Sequence, residues 1–190
     1  MALRILSLVV ALAISSSAVA AGRPITPSDL VAMARISDPQ LSPDGSRVLY
    51  TVAVPDMTAN RTTRDVWMVS IGTGETRNLT RNGHEGGARW SPDGKTVAFI
   101  STRRARMHEV SGSSPTRLTT NPGFDGAPAY SPDGSWIAYH SQARAGYESA
   151  KWRLMVLDRK SGQTRSLAEA FDRSVEIGRA SCRERVYVLV

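Results

Sequence analysis

Three aspartates, Asp44, Asp93 and Asp133, recur inside one tetrapeptide, Ser-Pro-Asp-Gly, at Ser42–Gly45, Ser91–Gly94 and Ser131–Gly134. Paired carboxylates can divide general-acid and general-base duties between them, but the setting of these three argues for another task. Pro presets φ, Asp bonds its own backbone, and Gly accepts a positive φ, so the tetrapeptide is a tight hairpin turn whose acid serves the turn. The other groups able to do chemistry are dispersed. His84, His108 and His140 fall in different parts of the repeat, without cysteine partners or helical i, i+4 spacing, so a zinc site is unsupported. The one cysteine, Cys182, lies in the last stretch of the chain and supports neither a disulfide nor a thiol nucleophile. No G-x-S-x-G occurs; the nearest string, Gly112-Ser113-Ser114-Pro115-Thr116, lacks the closing glycine and falls in an expected hairpin loop. Glu148, beside Tyr147, is either a solvated loop carboxylate or a group that faces a substrate channel and takes a peptide's free amine. No catalytic, cofactor-binding or metal-ligating residue is assigned from these patterns.

The residues around the turns repeat as well. Leu41, Trp90 and Tyr130 precede the tetrapeptide, and Val48-Leu49-Tyr50, Val97-Ala98-Phe99 and Ile137-Ala138-Tyr139 follow it. A second marker, Thr-Arg, stands at Thr76, Thr116 and Thr164, and the step from it to the next turn serine is 15 residues in both cases. The step from turn serine to Thr-Arg varies instead, at 34, 25 and 33 residues, so the middle repeat has lost residues between its second and last strands. Each unit offers an entering strand, a longer strand such as Arg47–Val54, a third such as Asp65–Ile71 or Trp152–Asp158, and a short fourth ending near Asn78-Leu79-Thr80. Gly72 to Gly74 and Ser161-Gly162 fall where the last hairpin must turn. Four short strands per unit of 40 to 49 residues predict an all-β chain, a partial β-propeller of about three blades.

Both ends stand apart from the repeat. Residues 1–20 read as a secretory signal: Arg4 is the charged lead, Ile5 to Ile14 the apolar core and Ala18-Val19-Ala20 the small-residue cleavage site. Residues 21–38 read as a linker holding a short helix, with Thr26 as N-cap, Pro27 at the first helical position and Asp29 as capping acid. The helix is expected to run to about Arg35 and to pack Leu30, Val31, Met33 and Ala34 on the propeller. Residues 39–175 hold the repeats. The constant step predicts a fourth turn near position 179, where the sequence reads Arg179-Ala180-Ser181-Cys182. Glu176 to Val186 matches the in-frame translation of a widely used sequencing adapter over eleven residues, so residues 176–190 are expected to be a non-native tail.

The net charge of +7 drops to +5, 20 basic against 15 acidic residues, once Arg4 and that tail are set aside. A modest positive charge on an exported chain is ordinary solvated surface. Its densest cluster, Arg103-Arg104-Ala105-Arg106, has no interleaved aromatics or reader motif, which argues against nucleic-acid binding. The apolar core of the leader is shorter than the roughly 20 residues that span a bilayer, which argues against a stable membrane anchor.

Thr26-Pro27-Ser28-Asp29-Leu30, Ile36 to Gly45, Trp152-Arg153-Leu154-Met155-Val156 and Phe171-Asp172-Arg173-Ser174-Val175, in that order, resemble the N-terminal propeller of prolyl oligopeptidase-family serine peptidases. The likeness is strongest to the exported bacterial dipeptidyl aminopeptidase and acylaminoacyl peptidase branch and covers about Thr26 to Val175. Ser-Pro-Asp-Gly is shared with TolB-type periplasmic propellers, which bind envelope proteins and are not enzymes. The peptidase resemblance implies a propeller of seven or eight blades over an α/β-hydrolase domain that carries Ser, His and Asp, with short peptides as substrates and no cofactor. None of that catalytic machinery is visible in these residues. Three blades do not close a ring, and their open faces expose apolar strand surface that favours aggregation or pairing with another chain. The recorded polypeptide is accordingly expected to be inactive and poorly folded on its own.

Overall fold

The computed structural model describes residues 22–101, 106–111, 114–146, 150–167, 169–170, 174, 176–179 and 186–189. The signal segment, Cys182, Arg103 to Ala105, and Tyr147 with Glu148 lie outside the described residues, as does Phe171-Asp172-Arg173-Ser174-Val175 apart from Ser174.

One short helix, α1 (Pro27–Ala32), opens the described chain. Thr26 caps it: its Oγ1 accepts from Asp29 N at 3.3 Å, and Asp29 Oδ2 accepts from Thr26 N at 2.8 Å. Arg23 pairs with the same carboxylate and, with the two Thr26 donors, holds Asp29 far below the ordinary carboxylate range. The expected packing does not occur. No residue of α1 is buried, and Leu30, Val31 and Met33 each stay about half exposed. The helix also stops earlier than the sequence suggests, because Arg35 enters a sheet ladder opposite Ala53 and the backbone takes strand partners instead.

Three four-stranded antiparallel sheets follow, each a meander in chain order. The first holds β1 (Arg35–Leu41), β2 (Arg47–Asp56), β3 (Arg61–Ser70) and β4 (Thr76–Asn78). Its first strand thus begins inside the segment expected to be linker. The second holds β5 (Glu85–Trp90), β6 (Val97–Ser101), β7 (Arg106–Ser111) and β8 (Ser114–Arg117). The third holds β9 (Asp125–Tyr130), β10 (Trp136–Ser141), β11 (Arg153–Asp158) and β12 (Thr164–Ser166). A separate hairpin, β13 (Glu176–Arg179) with β14 (Val186–Leu189), sits against β10. All three Thr-Arg markers fall in fourth strands. Against the first repeat the middle one has shorter second and third strands, β6 having 5 residues where β2 has 10, and against the third it has a shorter connection between them, four residues from Ser101 to Arg106 where eleven separate Ser141 from Arg153.

Each Ser-Pro-Asp-Gly closes the hairpin between first and second strands through the same bonds. In the first turn Ser42 N donates to Arg47 O at 2.8 Å and Ser42 Oγ accepts from Arg47 N at 2.9 Å. Asp44 Oδ1 accepts from Ser42 Oγ at 2.6 Å and from Ser46 N at 3.1 Å, and Gly45 has φ 71°. Ser91 and Ser131 repeat this arrangement with Asp93 and Asp133.

A second recurrence lies four residues before each turn serine. Asp38, Gly87 and Ala127 all have positive φ, at 52°, 61° and 50°, beside a break in register with the second strand. Each first strand therefore carries a bulge at one place in the repeat, and such bulges bend a strand and tighten its twist.

The sheets stack face to face. Leu49 and Val66 of the first sheet pack with Ala88, Val97, Phe99 and Val110 of the second. Ala98, Ile100 and Met107 of the second pack with Tyr130, Ile137, Tyr139 and Leu157 of the third. β6 is consequently covered on both faces, and its Val-Ala-Phe-Ile run is buried throughout. That is the pattern of a strand enclosed on both sides.

Candidate functional site

The first strands β1, β5 and β9 and the seams between sheets are where side chains from distant parts of the sequence meet. The first seam is closed at its rim. Arg89 Nη1 of β5 donates to Asp38 Oδ2 of the β1 bulge at 2.8 Å. Trp90 Nε1 donates to Gln40 O at 3.2 Å. Arg47 lays its guanidinium 4.8 Å from the centre of the Trp90 ring and donates to Gly94 O at 3.0 Å.

The second seam is closed by a cluster set deeper in the protein. Glu109 Oε1 of β7 accepts from the Tyr130 hydroxyl at 2.5 Å and from Arg159 Nη2 at 2.8 Å. Arg159, in the β11–β12 hairpin, also donates to Gly134 O at 2.7 Å and stands 5.2 Å from the Tyr130 ring centre. Burial, reinforced by the Glu109 carboxylate, pushes the Tyr130 hydroxyl well above its ordinary pKa. The Tyr130 hydroxyl thus stays protonated near neutral pH and serves as a hydrogen-bond donor to Glu109.

Two buried acids open the first strands of the second and third sheets, six residues before the turn serine. Glu85 is 1% exposed and satisfied at both oxygens, accepting from His84 N at 3.0 Å and from Ser101 Oγ at 3.2 Å. Asp125 is 0% exposed; its Oδ1 accepts from Asn121 Nδ2 at 2.7 Å. Burial pushes the Asp125 carboxyl up, against the lowering effect of the Thr119 and Ser141 hydroxyls and of the Arg106 charge. Neither acid reaches solvent, and each ties the connection that enters its sheet to the sheet itself. The matching position in the first sheet is Ile36, which is exposed. The sequence reading overlooked this pair; the recurrence of Glu85-Gly86 and Asp125-Gly126 at one distance from the turn was the available signal.

The three histidines stay apart. His84 bridges to Arg64 just ahead of β5, His108 stacks on Phe99 at 5.5 Å, and His140 lies 5.9 Å from Trp152. Burial, then the nearby Arg117, lowers the His108 pKa. Among the described residues no three His, Cys, Asp or Glu side chains gather as a metal would require. The near-miss nucleophile string is corrected in part: Ser114, Pro115 and Thr116 belong to strand β8, not to a loop. Of the arginine cluster only Arg106 is described, and its Nη1 donates to Gly123 O at 2.8 Å across the second seam. A polar groove of about 390 Å³ runs along the outer edge where Arg77, Arg81 and Asn82 of the first repeat approach Pro115. The turn serines are held by their own aspartates and by the next strand's backbone, so none is poised as a nucleophile. What these residues build is a stacked wall, cross-linked at both seams.

Comparison with known proteins places this wall. A family model described as PD40, TolB beta propeller domain, matches residues 25–170. Dipeptidyl-peptidase 5 of Porphyromonas gingivalis is 33% identical over 87 residues, 45% of this chain and 13% of the relative. Peptidase YuxL of Bacillus subtilis is 36% identical over 80 residues, 42% of this chain and 12% of the relative. The chain therefore spans about an eighth of the length of these curated relatives. Among solved structures, a TolB-type protein from Agrobacterium tumefaciens superposes with TM-score 0.54 at 26% identity, over 66% of this chain and 46% of that one. An acylaminoacyl peptidase from Pyrococcus horikoshii superposes with TM-score 0.60 at 14% identity, over 73% of this chain and 25% of that one, a likeness of fold.

Proposed function

The chain belongs to the PD40 family of TolB-type β-propeller domains, and from that premise we propose that it is the substrate-admitting propeller portion of an exported serine peptidase. The enzyme cleaves short peptides in the manner of a dipeptidyl aminopeptidase or an acylaminoacyl peptidase, and its Ser, His and Asp lie on residues other than these. The observation that carries the reading is the pair of sequence relatives, both peptidases, at 33% and 36% identity. The physical role follows from the stacked sheets: a wall cross-linked at each seam keeps its shape, so a propeller built this way selects substrates by size at its opening and does not open by sheet separation.

Export to the periplasm or beyond is part of the proposal. It rests on the apolar leader and the TolB-type fold, and no helix among the described residues is long and apolar enough to cross a membrane.

A second reading, a non-enzymatic periplasmic propeller that binds envelope proteins, draws support from the 26% identity to the TolB-type structure. Sequencing the gene through the codons after Val175 separates the two. A reading frame that continues through further repeats into a G-x-S-x-G, followed by Asp and His, supports the peptidase. Further repeats ending in a stop codon with no such motif overturn it in favour of the binding propeller.

A further inference from the structure

The Thr-Arg marker does not point its arginine the same way in every sheet. In the first repeat it opens Thr76-Arg77-Asn78-Leu79-Thr80, and in the second Thr116-Arg117-Leu118-Thr119, one residue shorter. The far ends of both segments are anchored alike. Leu79 N donates to Val66 O and Leu118 N to Met107 O, each at 2.9 Å. Thr80 Oγ1 accepts from Val66 N at 2.9 Å and Thr119 Oγ1 from Met107 N at 3.1 Å. The missing residue therefore shifts the marker by one place, and a one-residue slip turns a side chain to the other face of its sheet. Arg77 stands opposite Met68 and Arg165 opposite Val156, two residues beyond the anchored position, whereas Arg117 stands opposite His108, one residue beyond.

The slip brings arginines from two sheets to one seam. Met68 packs on the apolar cluster between the first and second sheets, so Arg77 faces the second sheet. His108 stacks on Phe99 of the same cluster, so Arg117 faces the first. Pro115, opposite Val110 of that cluster, lies on the same side of β8 as Arg117. Between these walls runs the groove of about 390 Å³ lined by Arg77, Arg81, Asn82 and Pro115, and none of the described residues lining it is acidic. The carboxylate bonded to its lining, that of Asp65, accepts from Thr80 Oγ1 at 3.3 Å and from Gly83 N at 3.0 Å. Arg77, Arg81 and Arg117 are exposed. Both walls belong to consecutive sheets, so the groove is the same whatever number of repeats follows.

We infer that this groove at the outer edge of the first seam binds a phosphate group, held between Arg77 and Arg81 of one repeat and Arg117 of the next. A guanidinium presents a planar fork that meets phosphate oxygens two at a time. A phosphate monoester carries a charge of about −1.5 to −2 near neutral pH, which suits three guanidiniums better than the single charge of a carboxylate does. The Asn82 amide adds a neutral donor beside them. The phosphate belongs either to a soluble ester or to a phospholipid headgroup. The site lies at the fourth strands, away from β1, β5 and β9, so it holds equally for a peptidase propeller and for a binding propeller.

The test uses the protein expressed from its complete reading frame. Calorimetric titration with inorganic phosphate, at an ionic strength held constant with chloride, is expected to show one saturable site. Arg81→Gln and Arg117→Gln each weaken it about fivefold by removing one charged fork. Arg165→Gln removes an arginine of the same marker, 5.4 Å from the Trp136 ring centre in the third sheet, and leaves the site unchanged. Circular dichroism confirms that each variant keeps its sheet content. Flotation with vesicles of phosphatidic acid, against vesicles of phosphatidylcholine, identifies the source. Retention on the acidic vesicles that is lost with Arg117→Gln marks a lipid headgroup, and no retention beside an intact phosphate site marks a soluble ester. Failure of inorganic phosphate to bind saturably overturns the inference. So does a loss with Arg165→Gln as large as that with Arg117→Gln, since that result means only a general attraction of anions to a basic surface.

Discussion

The two seams bury similar apolar clusters yet are fastened by different polar chemistry. In the first, the Asp38–Arg89 pair is about one-third exposed on each side, and the other contacts run to backbone carbonyls or a ring face. In the second, Glu109 and Arg159 are 17% and 26% exposed, and Glu109 also takes the Tyr130 hydroxyl. An exposed pair contributes little because water competes for both ions. A sheltered pair is costly to break, because the survivor is left with its charge and no partner. The first seam therefore depends on its hydrocarbon, and the second on its hydrocarbon and on every member of one polar cluster.

The largest effects should not discriminate between seams. Phe99→Ala in the first and Ile137→Ala in the second should each cost about 3 to 4 kcal/mol, read as a shift in urea midpoint, because both remove fully enclosed side chains. A twofold disparity would mean that the apolar clusters are not equivalent. The sharp contrast comes next. Glu109→Ala should cost about 3 kcal/mol, in keeping with a mostly sheltered pair, and Asp38→Ala less than about 1 kcal/mol, in keeping with an exposed one. Equal losses would erase the distinction drawn here.

A smaller change acts on the bulge. Ala127 holds φ 50° where the second sheet has Gly87, so Ala127→Gly should stabilise by about 1 kcal/mol by removing a left-handed alanine. A loss on that substitution would show that the methyl packs usefully.

The smallest effect is shared by both ends of the stack. The Ser42 hydroxyl, then the Ser46 backbone and side chain, lower the Asp44 carboxyl to about 2, and Ser131 with Ser135 does the same for Asp133. These folded-state values are depressed, so their stabilisation is complete above the ordinary carboxylate value near about 4 and is lost as pH falls through about 2. Thermal midpoints should fall over that window, and the double substitution Asp44→Asn with Asp133→Asn should flatten the fall. An unchanged slope would remove the turns from the acid response.

What could be read from the sequence was what local bonding decides. A turn whose Ser, Asp and Gly bond within six residues announces itself wherever it occurs, and the Thr-Arg marker at a fixed step gave the fourth strand. The capping box of α1 was legible for the same reason, while its packing was not, because burial of Leu30 or Val31 depends on a surface supplied by other segments. The seams were invisible for a similar reason: Asp38 meets Arg89 and Glu109 meets Arg159 across about fifty residues, and neither pair has a local signature. Glu85 and Asp125 were hidden by chemistry instead, since a carboxylate read along the chain suggests solvent until its enclosing hydroxyls and amides are known.

The meander order of the sheets bears on how the chain comes into being. Every strand of the three sheets pairs only with strands adjacent to it in the sequence, so a ribosome or an export channel that delivers the chain from its N-terminus supplies each sheet whole before the next begins. Folding can then proceed like a zip fastened tooth by tooth, each new unit finding a finished template beside it. The first unit alone has no template, and during delivery its bare side, with Leu41 and Val54, is the surface most in need of a chaperone.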